Sequence, residues 1–231
     1  MKLLAIDTTQ AFCSACVLIA QNGQSDVVHS ERHRVGRGHA EKLFGIIEKT
    51  LQIASLPRSE IDRIAINTGP GSFTGLRVGI AAARGLALAL DCECVGVTTL
   101  EALARGCPAG PDDVLVLLDA GRGEVVCQSF TGVKRAVLTP PRTLSTKQAS
   151  ESFRDFSGIL TGSGVAACFE DAASLEDRGA VLGFSVFDQD WPDIETIAGI
   201  GAEKPADHHP KPFYSRPADA KPQVSANLVA K

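Results

Sequence analysis

Residues 69–75, Gly-Pro-Gly-Ser-Phe-Thr-Gly, lie between an apolar run at 63–67 and a long apolar segment from Leu76 to Leu90. A glycine-rich turn between a strand and a helix can hold an anion on its backbone N–H groups, helped by the helix dipole. The residues that would do so are Gly69, Gly71, Ser72 and Gly75. This is not a Walker A loop, because Leu76 stands where a lysine is required. It is not a dinucleotide fingerprint either, since the third glycine comes one residue late. The other reading is a tight turn that lets the helix lie close to the sheet. Asp7-Thr8-Thr9 ends the first apolar run and presents a carboxylate and two hydroxyls, the groups that hold Mg²⁺ and phosphate. Asp119-Ala-Gly-Arg122-Gly follows a second such run at 114–118. Neither segment supplies the positive charge that efficient phosphoryl transfer needs: no Lys or Arg follows Asp7 before Gly23. Weak nucleotide binding is the most that this pair of aspartates supports.

Other candidate clusters favour plain packing. His29 and His33 have a spacing that suits a metal only on a helix, and here they fall on a strand, about 13 Å apart along the chain. Cys13 and Cys16, three apart in a strand, point to opposite faces and read as small buried hydrophobes. Ser72, Ser163 and the five histidines come without a nucleophile-elbow pattern. Gly79, Ala83 and Ala87 recur four apart, with Ala82, Gly85 and Ala89 beside them, so another helix can approach closely. That helix belongs either to the same domain or to a second chain.

Positioning these residues requires a particular order of elements. Strands are predicted at 3–6, 13–20 and 25–32, the last two joined by Asn22-Gly23, a strong hairpin dipeptide. A helix over 40–54 carries Leu43, Ile46, Ile47, Leu51 and Ala54 on one face, before a strand at 63–67 and the helix at 76–90. A similar order follows, with strands at 114–118, 124–131 and 135–138, a helix over 145–154, a strand at 158–161 and a helix starting at 164. Asp7 and Asp119 occupy equivalent places in the two halves. The expected fold class is α/β, with two tandem ribonuclease-H-like lobes of the kind shared by actin, sugar kinases and heat-shock ATPases. The expected divisions are 1–103, 104–203 and a partly packed tail at 204–231, rich in Pro, His and Lys.

Composition narrows the function classes. The 231 residues carry a formal net charge of −4, and aromatics make up only 5%. Such a chain is poorly equipped for phosphate neutralisation or base stacking by itself. One basic stretch, His29 to Lys42 with Arg32, Arg34, Arg37 and three histidines, is either a solvated strand edge or a contact for a partner or RNA. The start of the chain lacks signal-peptide character, and the apolar segment Gly79–Leu90 is too short to span a bilayer and contains Arg84. A cytoplasmic protein with reduced thiols and no membrane partner is expected.

Asn67 to Gly79 and Met1 to Ser14 resemble the TsaB family. So do Gly96-Val-Thr-Thr-Leu-Glu-Ala, Asp119-Ala-Gly-Arg-Gly-Glu and Pro212-Phe-Tyr-Ser-Arg-Pro-Ala-Asp-Ala-Lys-Pro. These patches span nearly the whole chain. The family usually reads Asp-Ala-Arg at the second loop, whereas here Gly121 precedes Arg122. The resemblance implies a non-catalytic, degenerate actin-like scaffold, a homodimer when alone, that activates a catalytic TsaD-like subunit. With a TsaE-like ATPase, that subunit would transfer threonylcarbamoyl to the adenosine beside the anticodon of tRNA. It implies an interface on the helix after the glycine turn, at Leu76, Gly79, Ala82, Ala83 and Ala87. It implies no intrinsic cofactor or metal, and at most weakly bound ATP or ADP with Mg²⁺ where the partner meets the chain. The rival readings are an actin-fold small-molecule kinase with its own ATP site and a stand-alone RNA-binding module.

Overall fold

Strand β1 (Lys2–Asp7) is buried along most of its length because it runs down the middle of a five-stranded sheet. The computed structural model describes residues 1–21, 24–36, 38–169, 183–207 and 209–216. β1 pairs antiparallel with β2 (Phe12–Gln21), which pairs antiparallel with β3 (Gln24–Arg34). On its other side β1 runs parallel to β4 (Arg63–Asn67), and β4 parallel to β5 (Glu93–Val97). The predicted Asn22-Gly23 turn lies outside the described residues. Helices α1 (His39–Ile53), α2 (Phe73–Leu90) and α3 (Thr99–Gly106) belong to the same stretch of chain.

The second sheet repeats the plan. Its centre is β6 (Val114–Gly121), antiparallel to β7 (Glu124–Thr131) and parallel to β10 (Gly158–Thr161). Beyond β7 lie the short β8 (Ala136–Val137) and β9 (Arg142–Ser145), and beyond β10 lies β11 (Phe184–Phe187). Helix α4 (Thr146–Ser152) takes the place of α1 and α5 (Val165–Cys168) that of α2. Residues 170–173 of the helix predicted from 164 lie outside the described residues. The two-lobed α/β architecture expected from the repeated element order is therefore present in the strand order of both sheets.

Strand alternation divides the first lobe into two cores. Leu4, Ile6, Cys13, Ala15, Val17, Ile64 and Ile66 face α1 and α2. Leu3, Ala5, Cys16, Leu18, Ala65, Val95 and Val97 face the last described helix, α6 (Ile194–Glu203). Each large apolar side chain buried in this way contributes about 1.5–3 kcal/mol. Here the expected divisions need correction. Residues 194–203 fall within the expected second lobe at 104–203, but the α6 stripe of Ile194, Ile197, Ala198 and Ile200 covers the face of the first sheet that α1 and α2 leave open. α3 spans the supposed boundary after residue 103, and its Leu100, Leu103 and Ala104 pack with Val114, Val116 and Leu118 of the second sheet.

Helix α2 also corrects an expectation. It is longer than the apolar run at 79–90, with 18 residues and a mean hydropathy of 1.4, enough by length and composition alone to cross a bilayer. One side of it, Leu76, Ile80, Ala83 and Ala87, is buried against the first sheet and α1. In the strand hairpin, Cys13 and Cys16 do take opposite faces, one in each core. Burial pushes both thiols up to about 12, with lesser pushes from the nearby carboxylates of Asp7 and Glu195 respectively. A thiol protonated at neutral pH is a poor nucleophile. Both cysteines should therefore resist a thiol reagent at pH 7.5 until the protein unfolds, and replacement by Ala or Val should change stability by about 1 kcal/mol. Rapid labelling of native protein at either position would contradict this.

Candidate functional site

Where β4 ends, Asn67 begins a buried network. Its Oδ1 accepts from the Gly69 N–H at 2.9 Å and the Thr99 hydroxyl at 3.0 Å, and its Nδ2 donates to Thr9 Oγ1 at 3.0 Å. Thr9 in turn donates to Asp7 Oδ1 from its N–H at 2.8 Å and from its hydroxyl at 2.7 Å. Thr8 Oγ1 donates to the Gly75 carbonyl at 2.7 Å, and the Ser72 N–H donates to the Thr9 carbonyl at 2.6 Å. Ser72 caps α2 by accepting from the Gly75 N–H. The two loops are thus stitched to each other. The glycines make this contact possible: a Cβ at Gly75 would strike the Thr8 carbonyl, and one at Gly71 would sit 2.8 Å from Thr9 Cβ. Gly69 has φ +96° and a Cβ there would meet the Phe213 carbonyl at 2.9 Å.

This geometry corrects the anion-loop assignment. Asp7, Thr8 and Thr9 are buried, with their polar groups bonded within the chain. Burial raises the Asp7 carboxyl above its usual range, opposed in part by the bonds from Thr9 and Asn67 and by the charge of Arg32. Gly71 and Gly75 serve the close approach of turn and loop, and Gly69 that of the Phe213 backbone. Of the candidates in the first lobe, Gly71 and Ser72 reach the space between the lobes, and from the second lobe Asp119 does.

That space is a cleft of about 350 Å³. Gln10, His39, Gly71 and Ser72 line it from the first lobe, and Asp119 and Ser163 from the second. His39 starts α1 with its Nε2 3.0 Å from the Gln10 carbonyl oxygen. Asp119 is exposed, accepting from the Gly121 N–H at 2.7 Å, while Ser163 Oγ accepts from the Asp119 N–H at 3.2 Å. Gly162-Ser163-Gly164 follows β10 as Gly69–Ser72 follows β4, and Gly162 is pressed onto the Leu117 carbonyl. Sequence reasoning missed this second turn, although its Gly-Ser-Gly between a strand and a helix start was visible. Arg122, which has φ +57°, is not among the cleft residues. The described lining holds one carboxylate, Asp119, and no lysine or arginine.

Helix α2 needs a similar revision. Gly79, Ala83 and Ala87, expected at an interface, face inward with Leu76, and Ala82 is only half-exposed. A Cβ on Gly79 would strike the Thr8 hydroxyl and lie 3.1 Å from Ile66 Cδ1. A second small-residue stripe lies outside: Ala81, Gly85 and Ala89 are exposed, a Cβ on Gly85 meets nothing within 4 Å, and Leu88 is 86% exposed.

A family profile described as TsaD, tRNA N6-adenosine threonylcarbamoyltransferase, matches residues 25–160, more than half of the chain. The Escherichia coli K12 protein named "tRNA threonylcarbamoyladenosine biosynthesis protein TsaB" is 35% identical over 127 residues, covering 54% of this chain and 53% of that protein. Its Bacillus subtilis namesake is 29% identical over 134 residues, 58% of this chain and 55% of that protein. The chain belongs to the TsaD-like family, and proteins named TsaB are among its relatives. It spans about half the length of the curated relatives it matches. In three dimensions the chain is similar to YeaZ from Pseudomonas aeruginosa, with TM-score 0.67 and 22% identity over 88% of this chain and 92% of that one. A second Pseudomonas aeruginosa structure, described as similar to peptidase YEAZ, gives 0.72 and 23% over 93% and 99%. These likenesses are of fold.

Part of the basic stretch is bonded within the chain. His29 and His33 turn towards Glu31 between them, with Nε2 atoms 3.1 and 2.7 Å from its two oxygens, and Lys49 of α1 adds an ion pair at 2.9 Å. The Lys49 ammonium and then the two imidazoles hold the Glu31 carboxyl down at about 2. Arg32 lies over the Phe12 ring at 4.0 Å and the Trp191 ring at 4.9 Å. Arg37 lies outside the described residues.

Proposed function

We propose that this chain is a non-catalytic scaffold in the synthesis of threonylcarbamoyladenosine on tRNA, pairing through the outward face of α2 with a catalytic TsaD-like subunit. The reading includes a TsaE-like ATPase in the same cytoplasmic assembly, tRNA bound through the complex, and a homodimer when the chain is alone. The observation that carries it is the outer stripe of α2, where Ala81, Gly85 and Leu88 form an apolar surface that nothing among the described residues covers. Small residues at this spacing let a second helix approach closely, and Leu88 supplies a large apolar anchor. The matched relatives named for threonylcarbamoyladenosine biosynthesis support the pathway. Any ATP or ADP with Mg²⁺ is assigned to the surface shared with the partner, since this chain's own cleft lacks cationic lining among the described residues.

Gly85→Leu separates docking from folding, because the added side chain points into open space in the lone chain. At a close helix crossing it overpacks, a change that costs about 1–3 kcal/mol and weakens association about tenfold for each 1.4 kcal/mol. Sedimentation of the variant with a catalytic subunit should show that loss, with circular dichroism of the lone chain preserved and its melting temperature unchanged or raised. Unchanged assembly would move the interface elsewhere. Robust ATP turnover by the lone chain would overturn the scaffold reading altogether.

A further inference from the structure

We propose that residues 205–207 and 209–216 form a strap that ties the two lobes together across the mouth of the cleft, with Arg216 as its pin. The strap starts on the first lobe. The Asp207 N–H donates to the Cys94 carbonyl of β5 at 2.9 Å, and Arg84 of α2 donates to the Pro210 carbonyl at 2.7 Å. Pro210 is buried against Gly96, where a Cβ would come within 3.1 Å of the proline ring. At the glycine-rich turn the Phe213 N–H donates to the Thr68 carbonyl at 2.7 Å. From there the chain crosses. The Phe213 side chain packs with the core formed by α3 and the second sheet. Tyr214 sits on the Phe73 ring at a centroid distance of 5.1 Å, and Ser215 forms part of the cleft wall.

The far end is held by the second lobe. Thr143 of β9 donates to the Ser215 carbonyl at 3.3 Å. The Arg216 guanidinium donates from Nε to Glu124 Oε2 at 2.8 Å and from Nη2 to the Gly121 carbonyl, gripping both sides of the β6–β7 hairpin. A planar guanidinium satisfied by a carboxylate and a carbonyl is directional, unlike a loose surface ion pair. The strap therefore bonds to β5, α2 and the glycine turn at one end and to the Gly121–Glu124 hairpin at the other. Separating the lobes about α3 would break the Arg216 contacts before any strand pairing. The strap holds the cleft at its present width, and release of Arg216 is the step that lets it widen. This does not depend on the scaffold reading.

Hydrogen exchange on the full chain tests the strap, comparing the native protein with Arg216→Ala. Amides at 9–11, 71–72 and 120–125, on both rims of the cleft, should exchange about fivefold faster or more, while β1, β4 and β6 stay protected. Glu124→Gln removes the same pin from the opposite side and should give the same pattern. Faster exchange confined to 213–216 would mean that the segment only frays, and would overturn the proposal. So would a rise spread evenly over both sheets, or a Glu124→Gln variant whose first-lobe rim stays slow.

Discussion

Gly75→Ala should destabilise the protein by about 3 kcal/mol or more, the upper part of the range for overpacking a filled site. The added methyl would run into the backbone carbonyl of Thr8, which cannot rotate aside as a side chain can. Moving α2 away to relieve the clash would break the Thr8 Oγ1 bond to the Gly75 carbonyl and the Ser72 N–H bond to the Thr9 carbonyl. For a chain of this size each kcal/mol lowers the melting temperature by about 2–4 °C, so a fall of about 6–12 °C is expected. Gly85→Ala, ten residues along the same helix, should act in the opposite sense. Its methyl meets nothing within 4 Å, so the better helix propensity of Ala should add up to about 1 kcal/mol. Thermal melts of the two variants side by side decide the matter. A neutral Gly75→Ala would mean that turn and loop are not in contact.

Asp7→Asn should gain stability relative to the native protein as pH rises. Burial, the largest influence on Asp7, raises its carboxyl above the ordinary value of 3.8, so the folded chain holds this proton more tightly than the unfolded chain does. The stability that the protonated group contributes is complete below 3.8 and is lost as pH climbs through the folded-state value, at about 1.4 kcal/mol for each pH unit of displacement. Asparagine keeps an oxygen for the Thr9 N–H and hydroxyl and never ionises, so the variant escapes that loss. Urea unfolding at pH 3 and pH 7 should show the difference between variant and native protein growing in the variant's favour. Asp7→Ala should be poorer than Asp7→Asn at both values by about 1–3 kcal/mol, because Thr9 loses a buried acceptor. A stability difference that stays flat across this interval would show that Asp7 keeps its ordinary affinity for a proton when folded.

Much of the scaffold was legible in the order of residues. The apolar run at Arg63–Asn67 is β4, those at 124–131 and 158–161 are β7 and β10, and the repeated order corresponds to two sheets of like topology. The i, i+3 spacing of Cys13 and Cys16 was enough to place them on opposite faces. β5, α3 and α6 escaped notice. β5 is only five residues and includes Cys94 and Gly96, and α6 is a ten-residue helix whose two glycines weaken its helix signal.

What the sequence determined by itself was therefore local: strand and helix periods, the strand–turn–helix at the glycine turn, and the family motifs at Asn67–Gly79 and Asp119–Glu124. Tertiary structure alone decided which side of α2 faces inward. That helix carries two stripes of small residues, Gly79-Ala83-Ala87 and Ala81-Gly85-Ala89, and a four-residue interval marks both equally. The sheet takes the first, leaving the second outside. The same holds for the two equivalent aspartates. Asp119 remains exposed beside the cleft, whereas Asp7 is enclosed by a turn arriving from some sixty residues away, as the Asn67–Thr9 bond across 58 positions shows. Period and residue type are properties of a short segment, but burial and charge state are set by whichever distant surface is packed against it.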